Sequence, residues 1–316
     1  MMKVYVTRKL AGGLTELSKR YQVDVNPHDR PCTRDELLAV VKEYDAVICL
    51  LNDRIDRELL EVARGVKIFA NYAVGYDNID VQAAREFGIA VSNTPGVLTE
   101  ATADLAWALL LAAARHVVPA HSFTSKGKFT GWHPTMYMGR DFSGATLGIV
   151  GAGRIGQATA RRGVGFGMNV VYYNRSPKPD FEKQTSARRL DLEQLLKESD
   201  FVSLHLPLTS DTRHLLDERR LGLLKPTAIL VNTARGPVVD EAALAKILKN
   251  KEIFAAGLDV FEREPEIHPD LIGLENVVML PHLGSASWNT RIKMAEMAAA
   301  NVQSVLSGKP PVNPVE

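Results

Sequence analysis

Leu147-Gly148-Ile149-Val150-Gly151-Ala152-Gly153-Arg154-Ile155-Gly156 begins near the middle of a 316-residue chain, and its reading decides the fold. The apolar run reads as a buried strand. The Gly-x-Gly-x-x-Gly after it opens a segment, 154–165, that reads as a helix. In that context the first glycine makes a tight turn, the second lets a pyrophosphate approach the backbone, and the third lets helix pack on strand. The helix N-terminus then offers its free N–H groups to the anion. Gly151, Gly153 and Gly156, with Arg154, Ile155 and Gln157 in the same turn, are the expected dinucleotide contacts.

About half of the chain precedes this motif, so another unit must come first. Residues 1–98 alternate short apolar runs (4–7, 23–25, 46–51, 66–71 and 89–91) with amphipathic stretches (14–21, 34–42, 57–64 and 81–87). Thr33-Arg34-Asp35-Glu36 has the pattern of a helix cap. Strands separated by helices argue for a parallel sheet covered on both faces. No glycine fingerprint occurs there, so this unit is not expected to hold dinucleotide phosphates. A long Ala/Leu helix over 100–115 reads as a buried connector between domains. Six strands follow, at 146–150, 169–173, 201–204, 228–232, 255–260 and 277–280, with a helix starting at Asp240. The final helix, 287–306, is too long and too Ala/Met-rich for a tail and is expected to return to the first domain. The tail 309–316, with three prolines, reads as extended. The expected domains are 1–98 plus 288–316, and 99–287.

A net charge of +1 gives no broad field favouring nucleic acid or an anionic membrane. The longest apolar stretch, 105–114, is too short to span a bilayer, and residues 1–12 lack a signal-peptide core. Cys32 and Cys49 read as reduced thiols of a cytoplasmic protein, Cys49 as a buried structural one. No His/Cys/Asp cluster has metal-ligand spacing, so no metal is expected.

The second strand of such a nucleotide unit usually ends in an acid that binds the ribose 2′-OH. Here Val170-Val171-Tyr172-Tyr173 runs into Asn174-Arg175-Ser176-Pro177-Lys178, and the acid is missing. Arg175 could pair with a 2′-phosphate, Ser176 could donate to it and Lys178 could add charge, which favours NADPH over NADH. The blander alternative has Arg175 stacked on adenine and Lys178 as a solvated charge.

Three later strands end in reactive groups: Asn232-Thr233-Ala234-Arg235-Gly236, then Gly257-Leu258-Asp259-Val260-Phe261-Glu262-Arg263-Glu264-Pro265, then Leu280-Pro281-His282-Leu283-Gly284-Ser285. Ligands of open α/β sheets bind beyond the carboxyl ends of strands. Together with the fingerprint, these segments resemble the D-isomer-specific 2-hydroxyacid dehydrogenase family over nearly the whole chain. Residues 71–80, residues 93–99 and Gly131-Trp132-His133-Pro134 resemble its glyoxylate/hydroxypyruvate reductase branch. The resemblance implies a Rossmann cofactor domain inserted into a flavodoxin-like substrate domain, both doubly wound parallel α/β sheets, with a cleft between them.

The chemistry expected is reduction of a small 2-oxo acid, glyoxylate or hydroxypyruvate, to the D-2-hydroxy acid. Arg235 is the natural carboxylate anchor, because a guanidinium fork holds both oxygens. His282 is the candidate proton donor, and Glu264 its partner, a carboxylate that favours the imidazolium and raises its pKa. Reduction should then fade as pH rises while oxidation improves. Glu262 is two residues from Glu264; the spacing from Asp259 and the following Pro265 select Glu264. The resemblance adds Val74 and Gly75 as substrate contacts through backbone N–H groups. It adds Thr102, Leu206, Pro207, Thr212, Thr233, Ala234, Asp259 and Gly284 as cofactor contacts, with Asp259 facing the nicotinamide ring or its amide. It also implies a homodimer in which Trp132 closes the neighbour's substrate pocket; a local hydrophobic plug is the alternative for Trp132. His116, His121, His205 and His214 read as structural or exposed. Within the family, D-lactate dehydrogenase stays open as an alternative. Phosphoglycerate dehydrogenase is not expected, since that branch's regulatory domain would follow residue 316, and formate dehydrogenase uses Gln where Glu264 stands. Outside enzymes, a dinucleotide-sensing corepressor would carry the same fold and the same three residues.

Overall fold

The structure, a computed structural model, describes residues 1–315. The first part of the chain runs β1 (Lys3–Val6), α1 (Thr15–Ser18), β2 (Gln22–Val25), α2 (Arg34–Glu43), β3 (Ala46–Cys49), α3 (Arg57–Val62), β4 (Ile68–Asn71), α4 (Val81–Glu86) and β5 (Ala90–Ser92). Two helices follow, α5 (Thr99–Ala114) and α6 (Val117–Ser125). Then come β6 (Thr146–Val150), α7 (Arg154–Gly165), β7 (Asn169–Tyr173), α8 (Pro179–Thr185), β8 (Arg188–Arg189), α9 (Leu192–Glu198) and β9 (Phe201–Leu204). The remainder is α10 (Glu218–Leu221), β10 (Ile229–Asn232), α11 (Glu241–Lys249), β11 (Ala255–Leu258), β12 (Val277–Met279) and α12 (Trp288–Leu306).

These elements divide into two compact units. Met1–Leu98 and the chain from Ser285 onward form one, and Thr99–Gly284 the other. The first holds a five-stranded sheet of order β2-β1-β3-β4-β5, every pair parallel. β3 and β4 are buried at every residue, which explains why their sequence is unbroken apolar rather than alternating. Thr33 and Glu36 cap α2 reciprocally, as the sequence pattern suggests. Helix α12 packs on β3, β4 and β5 of this sheet, with Met294, Ala295, Ala298 and Val302 buried. The Tyr72 hydroxyl donates to the Arg291 carbonyl at 2.7 Å, and the tail bridges to β5 through Pro314 and Ser92.

The second unit holds a seven-stranded parallel sheet of order β12-β11-β10-β9-β6-β7-β8. The order reverses at β6, between β7 and β9, so the turn after β6 lies at the switch point where such sheets bind ligands. Helix α5 covers this sheet, packing on α7, β10 and β11. Trp107 of α5 donates its indole N–H to the Thr159 carbonyl at 2.9 Å and stacks on Phe166 with ring centroids 4.3 Å apart. Burial against the sheet accounts for the apolar run; among the described residues no single helix is long and apolar enough to cross a membrane.

Three local differences from the sequence reading have simple causes. The helix expected over 14–21 is only Thr15–Ser18: Leu14 offers no side-chain cap, and the chain must enter β2 at Gln22. The sheet has a seventh strand, β8, whose two residues are both arginine and carry no apolar pattern. Helix α6 buries none of its residues, and its apolar Val117 and Val118 are exposed, so no core-facing stripe marks it. Cys49 is fully buried, and burial pushes its thiol pKa well up; Cys32 is partly covered and pushed up to about 11.

Candidate active site

The three fingerprint glycines meet three different demands. Gly151 adopts φ +98°, a left-handed conformation, and a Cβ there would lie 2.5 Å from the His205 carbonyl oxygen. At Gly156 a Cβ would lie 2.0 Å from the Gly151 carbonyl oxygen, so the turn closes only on a glycine. A Cβ at Gly153 would meet no protein atom within 4 Å, and its φ of −76° suits any residue. The protein therefore does not require glycine at 153, and the open space is what a backbone-approaching pyrophosphate needs. Gln157 donates through Nε2 to the Ala152 carbonyl at 3.0 Å, while Arg154 and Ile155 form the first turn of α7. A second mark of a ligand is Thr233, whose buried hydroxyl has no hydrogen-bond partner. The residues present thus fit a dinucleotide.

At the end of β7, Asn174 accepts from the Ala152 N–H at 3.2 Å and donates to the Ser176 carbonyl at 2.9 Å. Its amide ties the glycine turn to the next loop, where an acid would carry charge. Arg175 and Ser176 are exposed on that loop. Lys178 ends it, its N–H donating to the Tyr172 hydroxyl at 2.9 Å. Thr212 closes the neighbouring loop by donating to the Pro207 carbonyl at 2.7 Å, and Leu206 lies against Gly151.

The catalytic candidates leave β10, β11 and β12 at their carboxyl ends. Asn232 shapes the first turn: its side-chain Oδ1 accepts from the Ala234 N–H at 3.0 Å, and its Nδ2 donates to the Arg235 carbonyl at 2.9 Å. Gly236 follows with its backbone against the next loop; a Cβ there would fall 1.9 Å from the Phe261 carbonyl. That contact sets the Arg235 turn beside the segment bearing Glu264. Glu264 accepts from the Phe261 N–H at 3.0 Å and pairs with His282 Nδ1 at 2.8 Å, both side chains being about one-third exposed. Burial pushes the Glu264 carboxyl up, but its bonds to His282 and Phe261, with the Arg235 charge, outweigh this and hold its pKa below the ordinary value. Each glutamate of the segment has its own histidine, because Glu262 pairs with His214 Nε2 at 2.8 Å. His214, read from sequence as structural or exposed, belongs to that second pair. His205 bonds Ser203 through Nε2 at 2.9 Å, and desolvation pushes its pKa down to about 3.

His282 sits at φ +56°, a strained setting for a non-glycine residue. Asp259 holds it there. The Asp259 carbonyl accepts from the His282 N–H at 2.9 Å, and its buried carboxylate accepts from Leu283 at 2.6 Å and Gly284 at 2.8 Å. Desolvation raises the Asp259 pKa, against the lowering effect of those N–H groups and of His282. Thr102 of α5 is buried against Gly284, where a Cβ would approach its methyl to 3.4 Å. Sequence reasoning named Asp259 as a cofactor contact and missed this loop-holding role. It missed Asn232 and the packing of Gly236 as well, since none of these has a local signature.

In the other unit, Asn93 donates to the Val74 carbonyl and Asn71 to the Gly75 carbonyl, both at 2.8 Å. Trp132 lies on the long loop between α6 and β6 and is 83% exposed.

Residues 107–284 match the model of the D-isomer specific 2-hydroxyacid dehydrogenase, NAD binding domain. A glyoxylate reductase of Thermococcus litoralis is 51% identical over 316 residues, covering 98% of this chain and 96% of the relative. One of Korarchaeum cryptofilum is 52% identical over 315 residues, covering 98% and 95%. Among solved structures, a protein from Thermus thermophilus superposes with a TM-score of 0.93 at 48% identity, each chain covered in full. An NADPH-dependent glyoxylate/hydroxypyruvate reductase of Sinorhizobium meliloti, in complex with NADP and malonate, superposes with a TM-score of 0.87 at 32% identity, covering 99% of this chain and 96% of that one.

Proposed function

This chain belongs to the D-isomer-specific 2-hydroxyacid dehydrogenase family, and from that premise we propose that it reduces a small 2-oxo acid, glyoxylate or hydroxypyruvate, to the D-2-hydroxy acid with NADPH in preference to NADH. The observation that carries this reading is the His282–Glu264 pair at 2.8 Å beside the Arg235 turn, in the same unit as the glycine fingerprint.

A nicotinamide cofactor, when bound, would supply the hydride. Arg235 binds the substrate carboxylate and draws electron density from the adjacent carbonyl. His282 delivers the proton from Nε2 to the developing alkoxide. Its Nδ1–H is committed to Glu264, which fixes which nitrogen faces the substrate and stabilises the charged ring. Asp259 keeps the His282 loop in its strained conformation. The Val74–Gly75 segment takes the substrate carboxylate through its N–H groups, its carbonyls being already engaged by Asn93 and Asn71. Gly151, Gly153 and Gly156, with α7, would hold the pyrophosphate, and Thr233 would offer its unpartnered hydroxyl to the cofactor.

The NADPH preference rests on the Asn174–Arg175–Ser176 loop, which presents a cation and a hydroxyl where an acid would repel a 2′-phosphate. Self-association rests on exposed apolar side chains of α6 and the loop after it: Val117, Val118, Phe129 and Met138 are each at least half exposed, besides Trp132. In such a homodimer Trp132 closes the partner's substrate pocket against bulky oxo acids.

A kinetic panel of glyoxylate, hydroxypyruvate, pyruvate and longer 2-oxo acids, each with NADPH and NADH, tests the reading. Turnover is expected to be best with the small acids and NADPH. Cofactor binding without turnover of any acid would overturn it.

A further inference from the structure

β8 is two adjacent arginines, and neighbouring side chains of a strand point to opposite faces. Arg188 goes to Glu198, paired at 2.7 Å. Arg189 goes the other way, onto the loop that follows β7. Its Nε and Nη2 donate to the Asn174 carbonyl at 3.1 and 3.0 Å, and Nη2 also donates to the Arg175 carbonyl at 2.9 Å. One guanidinium thus clamps two successive carbonyls of the cofactor loop from the side opposite the glycine turn, which Asn174 grips with its side chain. The strand register, Tyr172 with Arg189, sets this position. Nη1 has no protein partner among the described residues, and no acidic side chain there pairs with either Arg175 or Arg189. Both are exposed. Bringing a second cation onto the backbone of Arg175 without a counter-ion costs Coulomb energy that a bound dianion would repay.

We propose that Arg189 is a specificity-determining positioning residue for the 2′-phosphate of NADPH. It fixes the backbone from which Arg175 and Ser176 project and adds positive potential to the same loop. A lysine keeps the charge but loses the planar fork that spans two carbonyls. The inference rests on the NADPH reading above and deepens it.

The test compares the intact protein with its Arg189→Met and Arg189→Lys variants. Dissociation constants are measured for 2′-phospho-ADP-ribose and for ADP-ribose, and KM and kcat for NADPH and NADH with glyoxylate. Arg189→Met is expected to weaken 2′-phospho-ADP-ribose and raise the NADPH KM about tenfold, the loss typical of one charge-assisted interaction, with ADP-ribose, NADH and kcat changed less than about twofold. Arg189→Lys should fall between. Equal weakening of both ligands, or of neither, overturns the proposal, and would mark Arg189 as a stabiliser of the sheet edge or as neutral. If Arg189→Met lowers the melting temperature, Arg189→Lys decides by the same ratio. The two readings fail differently. A wild-type protein that binds both ligands alike removes the NADPH preference and this inference with it. A wild-type preference that survives Arg189→Met removes this inference alone.

Discussion

Replacing Asp259 by asparagine isolates the contribution of one buried carboxylate to the placement of the proton donor. Both oxygens accept backbone N–H groups, from Leu283 and Gly284, immediately after His282. Asparagine keeps one acceptor and turns an NH2 group toward the other N–H. One charge-assisted bond, worth about 1.5–3 kcal/mol, is lost, and a donor inside the protein is left unpaired. Some of this is recovered, because burial outweighs the hydrogen bonds in the raised pKa of Asp259, so removing its charge relieves desolvation. The balance is a loss of about 2 kcal/mol from the native loop, or about thirtyfold in the equilibrium ratio between the loop with His282 in its left-handed conformation and its alternatives. The assay is steady-state reduction of glyoxylate with thermal unfolding in parallel. Asp259→Asn should lower kcat by up to about thirtyfold and lower the melting temperature by several degrees, with the NADPH KM nearly unchanged. A raised NADPH KM with an intact kcat would refute the reasoning and return Asp259 to direct contact with the cofactor.

Gly153→Ala should leave the melting temperature within about a degree but raise the NADPH KM tenfold or more, since its Cβ meets no protein atom; Gly156→Ala should instead cost about 1–3 kcal/mol of stability or more, because its Cβ collides with the Gly151 carbonyl. Glu264 has a folded pKa below its ordinary value, so its carboxylate form is kept until pH falls through that lowered value. Initial rates of reduction should therefore hold down to about pH 4.5, and Glu264→Gln should cost about tenfold or more in kcat/KM; an acid limb near pH 6 in the wild type would contradict this. For His205 the folded pKa is depressed, so the unfolded chain binds its proton first and stability falls as pH drops below about 6.5. The loss should reach about 2 kcal/mol by pH 5, and denaturant titrations of His205→Gln should show that slope reduced.

Local sequence determined much of this protein. Helix α7 and the glycine turn before it are legible in six residues, of which Gly156 answers a local demand from Gly151, while Gly151 also answers to the His205 carbonyl at the end of β9. The buried strands were legible because strands covered on both faces must be apolar throughout. Spacing and resemblance select Glu264 over Glu262, and the fold pairs each of them with a histidine. What only the tertiary structure decided are pairings between distant segments. Asp259 reaches the 283–284 amides across the gap from β11 to β12, Gly236 meets Phe261, and Arg189 folds back onto Asn174. None of these has a period or a motif, since the parallel sheet places the ends of its strands side by side however far apart they lie in the chain. A two-residue strand of arginines and a helix that buries nothing escape a reading based on hydrophobic pattern for the same reason: hydrogen bonds to remote backbone define β8, and an unburied surface defines α6.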